Sequence, residues 1–219
     1  MKLSYPLTTK SPLYPSTPSV TLQNYRSQKK GDSANTSVIS VSSHSGTHID
    51  VPLHFCPEGS SVQDLLQEEN FFFPTYCLDI KKEHNECISV EDLRPFISSF
   101  SDARALLIKT GWFLYRNNDP DLYIHQNPWI DEAVPEFLRK HIPSLQLLGV
   151  DTISVSNTLN REHGRACHRS FLCEEKPIML LEDLDLSKFD HVRKKFTLCV
   201  YPWLVDTLDG VPVMVFAKV

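Results

Sequence analysis

The chain has 219 residues and is 41% hydrophobic, so it can bury a core, and we expect one domain over residues 1–219. A formal net charge of −5 excludes the strongly basic surface that nucleic-acid binding requires. Met1 is not followed by a signal-peptide core and no apolar stretch reaches membrane-spanning length, so the sequence predicts a cytoplasmic protein without a membrane partner.

The cysteines are irregularly spaced and contain no Cys-x-x-Cys pair, which argues against a structural zinc ribbon. In a cytoplasmic protein we expect them to be free thiols. The six are Cys56, Cys77, Cys87, Cys167, Cys173 and Cys199.

Residues 1–18 contain four prolines, which prevent regular secondary structure over most of this segment. We therefore expect an N-terminal arm that lies on the surface of the domain. The next predicted element is a strand over residues 37–42, which is rich in β-branched side chains.

A dense group of metal-binding side chains follows this strand. His44, His48, Asp50 and His54 all have even numbers, so an extended chain would point them to one side. A straight strand would leave the Cα atoms of His44 and His48 about 13 Å apart, so the chain must bend, and Gly46 permits the bend. Imidazoles and a carboxylate suit zinc, manganese or iron.

The rest of the chain alternates apolar strands with a few helices, which predicts an α/β fold. Strands are predicted over residues 76–80, 105–110, 145–150, 177–181, 196–201 and 211–218, the last two as a pair flanking a turn at Asp209 and Gly210. Helices are predicted over residues 89–98, opened by a capping box, and over 131–141.

Residues 112–129 are rich in aromatic side chains but show no clear periodicity. Such a long irregular segment is uncommon in a compact domain unless it has a function. Two interpretations stay open: the segment covers the metal site, or its aromatic side chains anchor an irregular loop to the core.

His44, His48 and Asp50 can hold one divalent ion and leave a coordination position open for water, which is typical of a catalytic site. Such an ion favours hydrolysis of an amide or similar acyl bond, because it activates water and polarises a carbonyl. His54 is a candidate further ligand or a proton shuttle.

The run from His44 to Phe55, His-x-Gly-Thr-His-x-Asp-x-Pro-x-His-Phe, resembles the signature of the cyclase-like metal-dependent hydrolases, which include bacterial kynurenine formamidases and isatin hydrolases. Similar stretches continue along nearly the whole chain, among them residues 109–112, 148–154 and 181–186. The resemblance implies a swivelling β/β/α architecture, a single α/β domain with a mixed sheet core. It also implies that the arm lies near the metal site, where Tyr14 is our candidate for a pocket wall.

The resemblance also assigns roles to residues of the site. His54 is implied as the catalytic acid and base, and His44, His48 and Asp50 as metal ligands. A second ion shared through Asp50 is implied, with His168 and Glu182 completing its ligands. Rivals remain on this sequence: His163 for His168, and Glu174 or Glu175 for Glu182. Asn157 stands where similar sequences often carry an aspartate.

We therefore expect a metal-dependent hydrolase of carbon–nitrogen amide bonds, most specifically an arylformamidase that converts N-formylkynurenine to kynurenine and formate in tryptophan catabolism. Isatin hydrolase, another cyclic amidase or cyclase, and a non-catalytic metal-stabilised binding protein are the alternatives. The expected cofactor is one or two divalent ions, zinc or alternatively manganese. The expected partners are a small, aromatic amide substrate and further copies of the chain, in a homodimer or tetramer.

Overall fold

Seven strands of mixed direction close into a barrel in the computed structural model, which describes residues 1–66, 70–190 and 194–219. In chain order, the strands inside and outside the barrel are β1 (Thr21–Arg26), β2 (Thr36–Ser40), β3 (His48–Asp50), β4 (Phe71–Asp79), β5 (Cys87–Ile88), β6 (Ala105–Lys109), β7 (Trp129–Ile130), β8 (Leu147–Val150), β9 (Met179–Glu182), β10 (Phe196–Pro202) and β11 (Gly210–Lys218). The barrel order is β10-β11-β3-β9-β8-β6-β4, and β4 pairs with β10 to close it.

Within the described residues, six α-helices accompany the strands: α1 (Val62–Leu66), α2 (Val90–Leu93), α3 (Tyr115–Asn118), α4 (Pro120–His125), α5 (Val134–His141) and α6 (Arg161–Leu172). Short 3-10 helices cover Gln28–Lys30, Pro52–His54, Arg94–Phe100 and Trp112–Leu114. The α/β class and the mixed sheet expected from the sequence are confirmed. No helix in the described parts of the chain combines the length and apolarity needed to cross a membrane.

The parallel strands β4, β6, β8 and β9 lie side by side, and the remaining pairs of the barrel are antiparallel. Alternation along β6 separates two apolar clusters. Leu107 packs inside the barrel, whereas Leu106 and Ile108 pack on its outer face against α5 and α6. Strands buried on both faces need continuous apolar runs, which explains why β6 and β8 were readable from sequence.

The predicted strand over residues 37–42 forms only in part, because β2 ends at Ser40. It pairs with β1 in a separate antiparallel ribbon whose residues are all exposed. Between the ribbon and β3 the chain passes through a turn, in which Gly46 has a φ of 65°. That left-handed conformation produces the bend expected at this glycine.

The capping box at Ser89 forms, since the Ser89 amide donates to Asp92 at 2.7 Å. It opens the short helix α2, and Pro95 lies in the 3-10 helix that follows. The sequence did not predict α6, the longest helix of the described chain.

The expectation that all six cysteines are free is wrong for Cys56 and Cys173, which form a disulfide across 117 positions of sequence. Cys56 lies just after the His54 turn, and Cys173 is the C-cap of α6. Proximity in the fold cannot be read from irregular cysteine spacing. Cys77, Cys87, Cys167 and Cys199 are free.

Candidate metal centre and active site

The register of β3 with its neighbours sets the centre of the site. His48 lies opposite Glu182 of β9, and Asp50 lies opposite Gly210 of β11. His48 and Asp50 are two residues apart on one strand, so their side chains point to the same side. Both are buried, with exposed fractions of 5% and 1%.

His48 is oriented by a backbone contact. Its Nδ1 donates to the carbonyl of Gly46 at 2.8 Å, which leaves Nε2 as the free ring nitrogen. That nitrogen lies 3.3 Å from an Asp50 oxygen and 3.5 Å from a Glu182 oxygen. Burial by itself would lower the pKa of His48, but Asp50 and Glu182 raise it.

His168 repeats this arrangement from the opposite side. Its Nδ1 donates to the carbonyl of Gly164, one turn earlier in α6, at 2.7 Å. Its Nε2 lies 3.6 Å from Glu182 and 3.8 Å from Asp50. Burial opposes the charged form of this ring, but Glu182 and Asp50 outweigh burial and raise the pKa of His168.

Glu182 ends β9 and is held from behind. Its Oε1 accepts from the Ser154 hydroxyl at 2.9 Å and from the Val155 amide at 2.8 Å. Its carboxylate is therefore fixed in a buried position, with an exposed fraction of 3%. The short polar run after β8 thus supports the site.

His44 bridges two carboxylates in the turn before β3. Its Nδ1 lies 2.7 Å from Asp50 and its Nε2 lies 2.8 Å from Asp209. Burial would lower the pKa of His44, but Asp50 and Asp209 raise it to about 10. Gly210 makes room for this ring, because a Cβ there would lie 2.5 Å from His44 Cε1.

His54 lies over the His44 ring, with 3.9 Å between their centroids. Its Nδ1 donates to Asp209 at 3.2 Å, so Nε2 is free. The hydrogen bonds from His44 and His54 outweigh partial burial and hold the pKa of Asp209 well below its usual range. Asp209 therefore stays ionised and orients both rings.

These residues fit divalent ions. One ligand atom each from His44, His48 and Asp50 lies within 4.8 Å of the others, and the same holds for Asp50, His168 and Glu182. Asp50 and Glu182 are almost fully buried, yet neither pairs with a lysine or arginine in the described parts of the chain. Buried carboxylates are costly without a cation, and here that charge can come from protonated imidazoles or from a metal ion bound in place of their protons.

The candidate ligands form the floor of a cavity of about 470 Å³, within the usual size of small-molecule sites. We call His44, His48, Asp50, His168 and Glu182 the floor. The wall consists of arm residues 12–18 with Phe55 and Ile153. Tyr14 is part of the wall, as expected, and its hydroxyl donates to the Asn157 carbonyl at 3.4 Å.

Of the rival ligands, His163 lies elsewhere on α6. Its ring contacts Trp129 with 4.4 Å between centroids, and its Nε2 is buried without a hydrogen-bond partner in the described structure. Glu174 and Glu175 are exposed beyond the end of α6. The structure brings together His168 and Glu182, not these alternatives. Asn157 is buried, and its side chain accepts from the Leu159 amide.

The aromatic segment 112–129 anchors to the core and does not cover the site. None of its residues lines the cavity that the described chain encloses. Trp112 and Tyr123 are fully buried against Ile153, and the Tyr123 hydroxyl donates to Asp183 at 2.6 Å. Helices α3 and α4 lie within this segment, so the prediction of an irregular loop was wrong.

Asp209 is the site residue that the sequence analysis missed, because it was assigned only to a turn. It immediately precedes β11, and its carbonyl accepts from the Val51 amide at 3.2 Å. Pairing of β11 with β3 therefore places it beside the histidine motif, 155 positions away from His54. A signal was present in the sequence: an acidic residue directly before a glycine and an apolar strand.

Comparison with known proteins agrees with this geometry. A family model described as putative cyclase matches residues 1–157. The kynurenine formamidase of Bacillus anthracis is 30% identical over 188 residues, which are 85% of this chain and 81% of that protein. Isatin hydrolase A from Labrenzia aggregata, solved with benzyl benzoate, has a TM-score of 0.81 at 19% identity and covers 100% of this chain and 93% of its own.

A structure described as a potential metal-dependent hydrolase with cyclase activity has a TM-score of 0.76 at 16% identity, covering 99% of this chain and 96% of its own. At these identities the structures establish a shared fold. The family match contains the whole motif from His44 to His54, while His168, Glu182 and Asp209 lie beyond it. Since that match spans well over half of the 219 residues, the chain belongs to the putative cyclase family.

Proposed function

We propose that this protein is a metal-dependent hydrolase of amide bonds and, specifically, an arylformamidase that converts N-formylkynurenine to kynurenine and formate. The observation that carries the proposal is a histidine, His54, oriented by Asp209 and lying beside a ligand set at the floor of a cavity. A binding protein that used metal only for stability would have no need for this extra oriented imidazole. The 30% identity to a kynurenine formamidase supports the choice of substrate.

In the proposed centre, His44, His48 and Asp50 would hold one divalent ion, and Asp50, His168 and Glu182 would hold a second. When bound, the ions supply a water of lowered pKa and polarise the substrate carbonyl. The donor set of imidazoles and carboxylates suits zinc, with manganese as the alternative. The fixed Nδ1 protons of His48 and His168 direct their Nε2 atoms to the ions.

His54 carries the proton transfers in this mechanism. Its free Nε2 accepts the proton of the attacking water while water oxygen adds to the formyl carbon. The same nitrogen then donates that proton to the amide nitrogen as the carbon–nitrogen bond breaks, releasing formate and the aromatic amine. Asp209 fixes the ring through Nδ1 and stabilises the imidazolium between the two transfers.

The wall suits an aromatic substrate. Prolines of the arm, Tyr14, Phe55 and Ile153 offer flat apolar surface above the floor. This surface supports an anilide in the cavity, in keeping with a role in tryptophan catabolism. It would also accept a bicyclic ring such as isatin, so the two substrates must be compared directly.

Two further properties belong to the proposal. A cytoplasmic location is retained from the sequence, although a reducing cytoplasm would favour the thiols of Cys56 and Cys173 over their disulfide. A homodimer or tetramer is supported by exposed apolar side chains on one face of the barrel, Phe71, Phe73, Tyr201 and Met214, of which Phe71 and Tyr201 have ring centroids 6.1 Å apart. Analytical ultracentrifugation of the purified protein measures the assembly state.

The test of function is hydrolysis by the metal-loaded protein of N-formylkynurenine, isatin and formanilide, together with metal content measured by mass spectrometry. We expect N-formylkynurenine to have the highest kcat/KM. Faster turnover of isatin would reassign the substrate. Metal binding without turnover of any of the three would favour a binding protein.

His54→Ala separates catalysis from metal binding. We expect kcat to fall about 10²- to 10⁴-fold with metal content unchanged, because a proton shuttle is lost and no ligand is removed. The matched control is His125→Ala, which removes a half-exposed histidine outside the cavity. Loss of metal from the His54 variant would make this residue a ligand instead.

A further inference from the structure

The rim of the cavity carries two cationic side chains that the proposed chemistry does not use. Arg161 and Arg165 both line the cavity from α6. Neither guanidinium has an ion pair or a side-chain hydrogen bond with any described residue, even though Glu162 lies in the same helical turn. We call these two arginines the rim pair.

The rim pair shares a helix face with the floor. Positions 161, 165 and 168 fall within an arc of about 60° on an α-helix, so both arginines lie on the same side as His168. At a rise of about 1.5 Å per residue, Arg165 lies about 4.5 Å and Arg161 about 10.5 Å along the helix axis from His168. The distance suits a group on a substrate whose reacting carbonyl lies at the floor.

Neither arginine is needed to neutralise the acidic residues of the cavity. Asp183 is already bound by Arg116, through two hydrogen bonds of 2.6 Å. Asp50 and Glu182 face the candidate metal positions and the ring nitrogens of histidines. The two guanidiniums are therefore available to a ligand.

Helix stability does not explain Arg161 either. It is the first residue of α6, directly after the N-cap Asn160. A cation in the first turn faces the positive end of the helix dipole, which is unfavourable for the helix. An anion placed there would be attracted both by the arginines and by the helix terminus.

We propose that Arg161 and Arg165 form a binding subsite for an anionic group of the substrate, chemically a carboxylate carried on the side chain of an N-acyl aromatic amine. This assignment rests on the proposed function, and it names the residues that would distinguish a carboxylated substrate from a neutral aromatic amide. The aromatic body lies against the wall, the scissile carbonyl at the floor and the carboxylate at the rim pair. Guanidinium groups bind carboxylates through paired, charge-assisted hydrogen bonds.

The kinetic test compares N-formylkynurenine, which carries a carboxylate, with formanilide, which is neutral, on the metal-loaded enzyme. For the double variant Arg161→Ala/Arg165→Ala we expect KM for N-formylkynurenine to rise about tenfold, because charge-assisted contacts to two exposed guanidiniums are lost and solvent screens them. The kcat for this substrate and both constants for formanilide should stay within about twofold. Equal effects on both substrates, or none on either, would overturn the subsite.

Arg169→Ala is the matched control, because it removes an exposed arginine from the same helix outside the cavity. It should leave the kinetics of both substrates unchanged. Arg161→Lys/Arg165→Lys should retain part of the affinity for N-formylkynurenine that the alanine double variant loses, since the charge is kept without the planar geometry.

A binding measurement keeps the subsite testable if the metal-loaded protein hydrolyses neither substrate, in which case the proposed function has failed by itself. Calorimetry compares 3-(2-aminobenzoyl)propionate, which is anionic, with neutral 2-aminoacetophenone. The wild type should bind the anion about tenfold more tightly, and the double variant should bind the two alike. Equal affinities of the wild type for the two compounds would overturn the subsite.

Discussion

The floor of the cavity is built by paired strands, whereas its wall is built by the proline-rich arm and its rim by α6. On the floor, each imidazole has a second partner that fixes its ring, such as the Gly46 carbonyl for His48. On the wall, the side chain of Tyr14 makes one hydrogen bond to the described residues, a long one of 3.4 Å to the Asn157 carbonyl. On the proposed function, the rigid floor would carry the chemistry, while the wall and rim would select the substrate.

Replacing Asp50 should have the largest effect on the floor, because its carboxylate belongs to both candidate ligand groups. For Asp50→Asn we expect metal affinity to fall by more than about 100-fold and activity to be lost, since even residues that only support ligands account for 10- to 100-fold. Metal content and competition with a chelator measure the effect. Asp79→Asn on β4, outside the cavity, is the control. Retained metal in the Asp50 variant would contradict the assigned centre.

The disulfide joins the His54 turn, beside the floor, to the end of α6. The disulfide closes a loop of 117 positions and thereby lowers the conformational entropy of the unfolded chain. Cys56→Ser/Cys173→Ser should therefore lower the free energy of unfolding by about 2–5 kcal/mol. Urea denaturation with and without a reductant measures this. Cys87→Ser, which removes a half-buried free thiol, serves as the control. A reductant should have no effect on the double variant.

The floor should also be the pH-sensitive region. Because Asp50 and Asp209 raise the pKa of His44 to about 10, an ion that binds this ring must displace a proton. For the proton on His44 alone, metal affinity should fall about tenfold per pH unit, or about 100-fold from pH 8 to pH 6. Titrations in buffers of different ionisation enthalpy count the protons released. An affinity that is constant over this range would argue against His44 as a ligand.

Asp209 tests whether the orientation of two histidines matters. Asp209→Asn keeps the shape but removes the charge that holds His44 and His54, so kcat/KM should fall about 10- to 100-fold. Metal affinity should fall less than in the Asp50 variant, because His44 loses only its support. Asp206→Asn in the same exposed loop is the control. A pH profile that keeps the wild-type shape in Asp209→Asn would exclude a role in proton transfer.

The wall should give the smallest effect. Tyr14→Ala removes an aromatic surface from the cavity, so KM for N-formylkynurenine should rise about three- to fivefold with kcat almost unchanged. Tyr14→Phe should retain most of the affinity if the ring, not the hydroxyl, makes the contact. Tyr25→Ala on the exposed ribbon should behave as the wild type. A loss in kcat instead would place Tyr14 with the floor.

The motif from His44 to His54 was the most predictable part of the site. His44, His48, Asp50 and His54 are close in sequence, so spacing and residue chemistry alone pointed to a metal site. His168 and Glu182 required the resemblance to a family, since nothing local to them distinguishes them from His163 or Glu174. Asp209 and the Cys56–Cys173 disulfide were missed, because strand pairing and helix packing bring those residues to partners far away in sequence.

How well each element of the fold could be predicted depended on its burial. Strands β6, β8 and β9 are buried on both faces and read as apolar runs, whereas the exposed ribbon of β1 and β2 lacks any burial pattern to detect. Helix α6 was missed because its polar residues and Gly164 weaken the helical signal. That glycine is nonetheless required, since a Cβ at Gly164 would lie 2.5 Å from the Ser156 Cβ.

Helix α6 carries both His168, the proposed ligand, and the two arginines of the rim pair on one rigid element. Because helical rise fixes the distance between the arginines and His168, the helix would select substrates by their length. A molecule whose charged tail is one methylene too short would have to give up either the rim or the floor. Homologous substrates of graded chain length would then show a single optimum, set by helical rise.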